Sequence, residues 1–197
     1  MRLMMQGLIM YWVYGTFPAA ILLLGLFPAL DSAWSFPLGL VYLQIPFYML
    51  HQVEEHVSGH FARFLNQTIG QGQEILTPAD IFWINVPGVW GINLASFLLA
   101  SFFHVGLGLI AVYLSMVNAL THLLACFRWR HYNPGLFTSV FLFLPLGILS
   151  LSSMGRHFEA TPAFHWLGIS IAFLIHVGLV FYFINKLRKA PPQTAPP

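Results

Sequence analysis

An all-α, polytopic membrane bundle of six helices is the fold class this sequence predicts, and three observations predict it. Hydrophobic residues make up 58% of the chain and charged residues only 7%, against about 25% charged in a soluble domain. The mean hydropathy is +0.75. Apolar runs long enough to cross a bilayer, roughly 20 residues each, recur along the chain between turn residues and charges. Its 197 residues have room for roughly five to seven such spans with short loops. One transmembrane domain over residues 1–187 is the expected organisation.

Taken in order, the spans fall near residues 7–30, 34–56, 78–100, 105–127, 134–153 and 163–185. The apolar part of the first exceeds the 7 to 15 residues or so of a signal peptide, and Ala29-Leu30-Asp31-Ser32-Ala33 is a poor cleavage site, so a retained helix is expected. The third span opens at Thr77-Pro78-Ala79-Asp80, which supplies a capping hydroxyl, a proline at the first helical position and an acid in the first turn. Residues 81–127 form one apolar stretch of 47 residues. As a single helix it would be about 70 Å long, more than twice the hydrocarbon thickness, so it must fold back, around Ser101 to His104. Asn133-Pro134-Gly135 and Thr161-Pro162 mark the turns that start the last two spans. Pro18, Pro46 and Val86-Pro87-Gly88 fall inside spans and predict kinks. The tail from Arg188 to Pro197, with four prolines, is expected to be disordered.

Charge placement tests the count independently of hydropathy. With six spans, Arg2, Arg63, Arg128, Arg130, Lys186, Arg188 and Lys189 share one side, which is seven of the eight basic residues, and only Arg156 lies opposite. Both termini are therefore expected in the cytoplasm, in a plasma or bacterial inner membrane. A net charge of +2 with scattered basic residues gives no support to nucleic-acid binding, and the single cysteine, Cys126, excludes an internal disulfide.

Against this apolar background one segment is unusual. Only six acidic residues occur in the chain, yet two stand together in His51-Gln-Val-Glu54-Glu55-His56, at the end of the second span. Ionisable groups at the edge of a bilayer are costly, so such a cluster marks a functional site by default. At about 100° per residue, Glu55 lies near 40° from His51, Glu54 near 300° and Gln44 near 20°, on one helical face. His56, near 140°, points elsewhere and is expected at the interface, as is His60. On the fourth span Asn118 and His122 are one turn apart, with Ser115 a turn deeper. Topology brings the His51–Glu55 turn, the Asn118–His122 turn and the Tyr132-Asn133-Pro134-Gly135 corner to one depth. His104, His157 and His165 belong to the opposite side, and His176 lies within the sixth span.

The His51-x-x-Glu54-Glu55 signature, the Asn118-x-x-x-His122 pair and the Arg130-x-Tyr132-x-Pro134-Gly135 corner resemble the HXXEE family of small multi-pass membrane proteins, over roughly residues 35–150. The resemblance implies a shared site of His51, Glu54, Glu55, Asn118 and His122, with Tyr132 and Gly135 shaping the corner. It implies no particular substrate.

Histidine nitrogens and a carboxylate from two helices are the ligand set of zinc or non-haem iron, and a catalytic metal keeps a position open for water. His51, Glu55 and His122 form such a set here, zinc being favoured over iron. The paired glutamates allow one to ligate while the other handles protons, with Glu54 and Glu55 both open to the catalytic part. Asn118 is placed to orient the carboxylate or stabilise an oxyanion. The order is not the His-Glu-x-x-His of zincins. Intramembrane prenyl-protein proteases are similar in their adjacent glutamates and histidines, but Gly59 stands where an arginine is expected. The expectation is a metal-dependent, hydrolase-like enzyme acting on a lipid-like or apolar small-molecule substrate that enters from the membrane, with membrane lipids as further partners. Three alternatives stay open: a metal-free acid–base isomerase, since His51-x-x-x-Glu55 resembles the arrangement in membrane sterol isomerases, a proton or cation transporter or ion-binding protein, and a non-catalytic scaffold. For the transporter, only Gln44, Asn93, Ser115 and His176 offer polar groups in mid-membrane.

Overall fold

The computed structural model describes residues 2–156 and 160–189; His157 and the expected disordered tail beyond Lys189 lie outside them. Among the described residues the structure is helical, without strands. We number the helices α1 (Arg2–Asp31), α2 (Phe36–His56), α3 (His60–Thr68), α4 (Pro78–Phe102), α5 (Val105–Trp129), α6 (Leu136–Arg156) and α7 (Pro162–Lys189). Arg188 and Lys189, assigned above to the tail, are the last residues of α7.

The starts follow their local chemistry. Ser35 caps α2, accepting from the Leu38 N–H, with Pro37 in its first turn. Thr77 and Asp80 form a reciprocal capping box at the start of α4. Proline inside a span has two outcomes. α1 and α2 run through Pro18 and Pro46 as α-helix. In α4, by contrast, Pro87 and Gly88 sit in a π-helical stretch, Ile84–Trp90, because proline cannot supply the ordinary backbone donor. A second π stretch, Ser139–Phe143, lies early in α6. Between α2 and α4, in what sequence reading treats as loop, lies the short amphipathic α3, with Leu65 buried and Arg63 exposed.

Five helices are long and apolar enough to cross a membrane: α1 from Leu3, α4, α5, α6 and α7. Large hydrophobic side chains stand exposed along α1 and α7, among them Leu8, Phe17, Leu22, Phe173, Leu174 and Phe181, a pattern that fits a bilayer environment. The other helix of spanning length, α2, carries Gln44, His51, Gln52, Glu54, Glu55 and His56 and is less apolar for that reason. It is the centre of the bundle, packed against α1, α4, α5 and α6. Apolar clusters fill three levels: Val41, Leu109, Val112 and Met154 at one end, Tyr48, Leu114, Ala119 and Phe143 in the middle, and Trp12, Leu65, Ile75, Ile81 and Phe82 at the other. Close crossings use small residues. A Cβ at Gly168 of α7 would come within 2.8 Å of the Leu109 carbonyl of α5. Between the clusters, Gln44 accepts from Ser115 Oγ at 2.6 Å and donates to Ser150 Oγ at 3.4 Å, tying α2 to α5 and α6 through buried polar groups.

Candidate functional site

The last two turns of α2 carry the site, and the way α2 ends shapes it. After His56 the chain leaves the helix through Ser58 and Gly59, both left-handed with φ of 60° and 67°, and α3 folds back so that Phe61 lies 5.8 Å from the His56 ring. Ser58 is a non-glycine residue in that region, a conformation that persists only where its surroundings impose it. The buried His51, Glu55 and His122 meet at this end: one ligating atom from each lies within 4.8 Å of the others. The His122 Nε2 to Glu55 Oε1 distance is 3.1 Å and that from His51 Nε2 to Glu55 Oε2 is 3.6 Å. Atoms bound to one ion at about 2.0–2.2 Å in tetrahedral geometry stand about 3.3–3.6 Å apart. The two contacts, made through different Glu55 oxygens, are of that order and the whole set is wider, so this His-Glu-His group could hold a metal ion if its side chains drew together by about 1 Å.

The partners of the two imidazoles fix which nitrogen is free. Asn133 Nδ2 donates to the His122 carbonyl at 3.0 Å, so its Oδ1, 2.6 Å from His122 Nδ1, must accept from an Nδ1–H. For His51, Thr138 Oγ–H donates to Glu54 Oε2 at 2.5 Å, and the same oxygen therefore accepts from His51 Nδ1–H at 2.7 Å. In each neutral ring the lone pair is then on Nε2, the atom turned toward Glu55. This is how ligating histidines are held, with the other ring N–H committed to an oriented acceptor.

Glu54 is occupied elsewhere. Its Oε1 accepts from Tyr132 O–H at 2.7 Å and Phe137 N–H at 3.0 Å, and its Oε2 accepts from Thr138 N–H at 2.7 Å as well as from the Thr138 hydroxyl. These donors include backbone groups at the start of α6, the N–H groups a helix leaves unpaired. Burial and the adjoining Glu54 carboxylate push the Tyr132 phenol up. Asn118 donates to Tyr48 Oη and to His51 Nε2, each at 3.0 Å.

Gly135 closes the corner at φ 98°. A Cβ there would stand 2.5 Å from His122 Cε1 and 2.8 Å from His51 Cε1, so only glycine lets the corner lie against both rings.

His56 corrects the sequence reading: instead of lying at the interface it is 8% exposed, with its Nε2 3.4 Å from Glu55 Oε2. Helical angles place it away from His51, but Glu55 reaches between them and α4 supplies a partner on the far side. The donor-only indole of Trp90 sets the polarity there. Trp90 Nε1–H donates to Gln52 Oε1 at 2.6 Å, Gln52 Nε2 to Asn85 Oδ1 at 2.9 Å, and Asn85 Nδ2 to His56 Nε2 at 3.0 Å. Asn85 sits in the π stretch of α4. A polar residue in an apolar span was the available signal for it. Nothing local in the sequence pairs it with His56. His60 is exposed, as expected, while His104 stacks on Phe164 at 4.5 Å and His165 meets Tyr113 Oη at 2.8 Å, both far from the cluster.

A cavity of about 630 Å³ opens beside the cluster, within the usual range for small-molecule sites. Glu55, His56, Asn85, Asn118, His122, Asn133 and His176 contribute polar lining near the cluster, Thr121 and Arg128 add to it along α5, and the rest of the wall is mostly apolar side chains of α3, α4, α5 and α7. His176 Nδ1 is bonded to the Ala172 carbonyl at 2.8 Å. α7 is pinned to the start of α4 at one end of this wall, where Tyr182 O–H and Lys186 both donate to Asp80.

Among known families, the model described as "Protein of unknown function with HXXEE motif" matches residues 42–150, more than half of the chain. No curated protein and no solved structure matches it.

Proposed function

The chain belongs to the HXXEE family, and from that premise we propose that it is a metal-dependent membrane enzyme of hydrolytic type. In this reading six helices cross the bilayer, α2 as the interior span, with both termini and the site at the cytoplasmic end. The gathering of Arg63, Arg128, Arg130 and Lys186 at that end supports this orientation.

One observation carries the chemistry. The Nδ1–H groups of His51 and His122 are committed to Thr138 and Asn133, so two lone pairs and a carboxylate converge in a buried place. Such atoms repel unless a cation or a proton lies between them, and Asn118 satisfies only the His51 nitrogen. A divalent ion, zinc by ligand type, satisfies all three and supplies Lewis acidity and an activated water with a pKa of about 7. Glu54 is then a positioning residue: it anchors the corner and, through Thr138, orients His51. Proton transfer falls to Glu55 Oε2 with His56 beside it. Asn118, whose amide now donates to His51 Nε2, would be the donor for a substrate oxyanion if that nitrogen held the ion. The apolar cavity takes the chain of a lipid-like substrate from the membrane.

Metal analysis of the protein purified without chelators tests the proposal, with near-stoichiometric zinc or iron expected and its loss in His51→Ala, Glu55→Gln and His122→Ala. Metal-free wild type sinks it. The 3.1 Å contact between His122 Nε2 and Glu55 Oε1 also suits a proton-bridged pair, so that outcome leaves the metal-free acid–base reading.

A further inference from the structure

We infer that the ligand of the cavity is a membrane amphiphile with an anionic headgroup, its head at Arg128 and its chain running past His122 toward the apolar wall. The inference rests on the reading that His51, Glu55 and His122 form the reactive centre. Asn118, His122, Ala125 and Arg128 recur at three- to four-residue intervals along α5, and all line the cavity. They make one stripe along the cavity wall, from the cluster to the last turn of α5. Arg128 lies six residues beyond His122, about 9 Å along the helix at 1.5 Å per residue, in the last turn of α5, and it is exposed.

Arg128 is the one arginine or lysine in the cavity lining among the described residues, and two other basic groups of this end are committed. Arg63 donates to the Ser58 carbonyl and Lys186 is bound to Asp80. Arg128 has neither an ion pair nor a side-chain hydrogen bond among the described residues. Glu55 is the carboxylate in the cavity lining, and it is already enclosed by three histidines. With Glu55 engaged at the cluster, the charge of Arg128 has no second carboxylate in the lining to balance it. A guanidinium presents a planar fork that suits phosphate or carboxylate oxygens. The apolar remainder, Val89, Ile92, Leu114 and Leu179, suits a hydrocarbon chain. The bond presented to His122 is then one roughly 9 Å chainward of the anion, an internal linkage of the amphiphile.

The test is competition. The full chain, purified in a neutral detergent, is mixed with equal amounts of hexadecyl phosphate and hexadecanol, and retained ligand is counted by native mass spectrometry. One copy of the phosphate should be retained, preferred by about tenfold, the scale of one charge-assisted contact. Arg128→Gln should erase the preference, and Arg130→Gln, outside the cavity lining, should keep it. Leu179→Trp, which fills the apolar part, should lower retention of both ligands. Excess inorganic phosphate should leave the amphiphile bound. Equal retention by wild type, an Arg128→Gln preference equal to wild type, displacement by inorganic phosphate, or a preference undiminished by Leu179→Trp would each overturn the inference, the last by showing lipid held on the outer surface. Metal content of the same preparations separates the two readings. Metal without headgroup preference removes this inference alone, and preference without metal removes the metal reading.

Discussion

Gly135→Ala is the most informative single substitution. A methyl at this position would sit 2.5 Å from His122 Cε1 and 2.8 Å from His51 Cε1, where carbon atoms normally approach to about 3.5 Å. Both rings must therefore move, by about 1.0 and 0.7 Å, or the corner must move away from both. Ligand geometry tolerates only about 0.5 Å. The left-handed backbone at φ 98° adds about 1–3 kcal/mol for a side chain, and overpacking adds about 1–3 kcal/mol. The sum, about 2–6 kcal/mol, corresponds to a fall of roughly 5–20 °C in the unfolding midpoint. Thermal unfolding in detergent reads the stability, and metal content reads the geometry. Gly7→Ala is the control, since nothing lies within 4 Å of a Cβ there. A Gly135→Ala protein with wild-type midpoint and wild-type metal content would refute the placement of the corner against both histidines.

Glu54→Gln should lower the midpoint, because an amide cannot accept from all four donors of the Tyr132–Thr138 segment; about 2–3 kcal/mol is expected, while Glu55→Gln should abolish metal binding at a smaller cost in stability. Trp90→Phe leaves the fully buried Gln52 Oε1 without its donor, and thermal unfolding should register about 1–3 kcal/mol of destabilisation. The Tyr132 phenol, held up by burial and by Glu54, contributes stability that is intact below the ordinary tyrosine value of about 10 and is lost as pH rises through the raised one. The difference between ultraviolet titrations of wild type and Tyr132→Phe isolates this phenol: it should ionise above the ordinary tyrosine value, and a difference curve centred on that ordinary value would contradict the contact.

Much of the helical layout is readable in the sequence because its signals are local. The capping box at Thr77 and Asp80 needs four consecutive residues and forms as they dictate. The grouping of His51 with Glu55 follows from one helical turn, and that of Asn118 with His122 from another. The α3 helix escaped because its nine residues are too short for an apolar span and its periodicity sits among polar residues. The π stretches escaped because helical period alone does not reveal an inserted residue.

By itself, then, the sequence determined the apolar helices and which titratable residues stand at their common end, since both follow from composition and from the 3.6-residue period. What each of those residues does was decided only by tertiary structure. Glu54 and Glu55 are neighbours of the same chemical type, yet one meets donors 78 to 84 residues away and the other meets His122. His56 enters the site because Asn85, 29 residues on, is turned toward it by a chain that starts at Trp90. Gly135 is indispensable because two rings from different helices lie against it. Hydrogen-bond partners fix protonation and orientation, and these partners come together only when the helices pack.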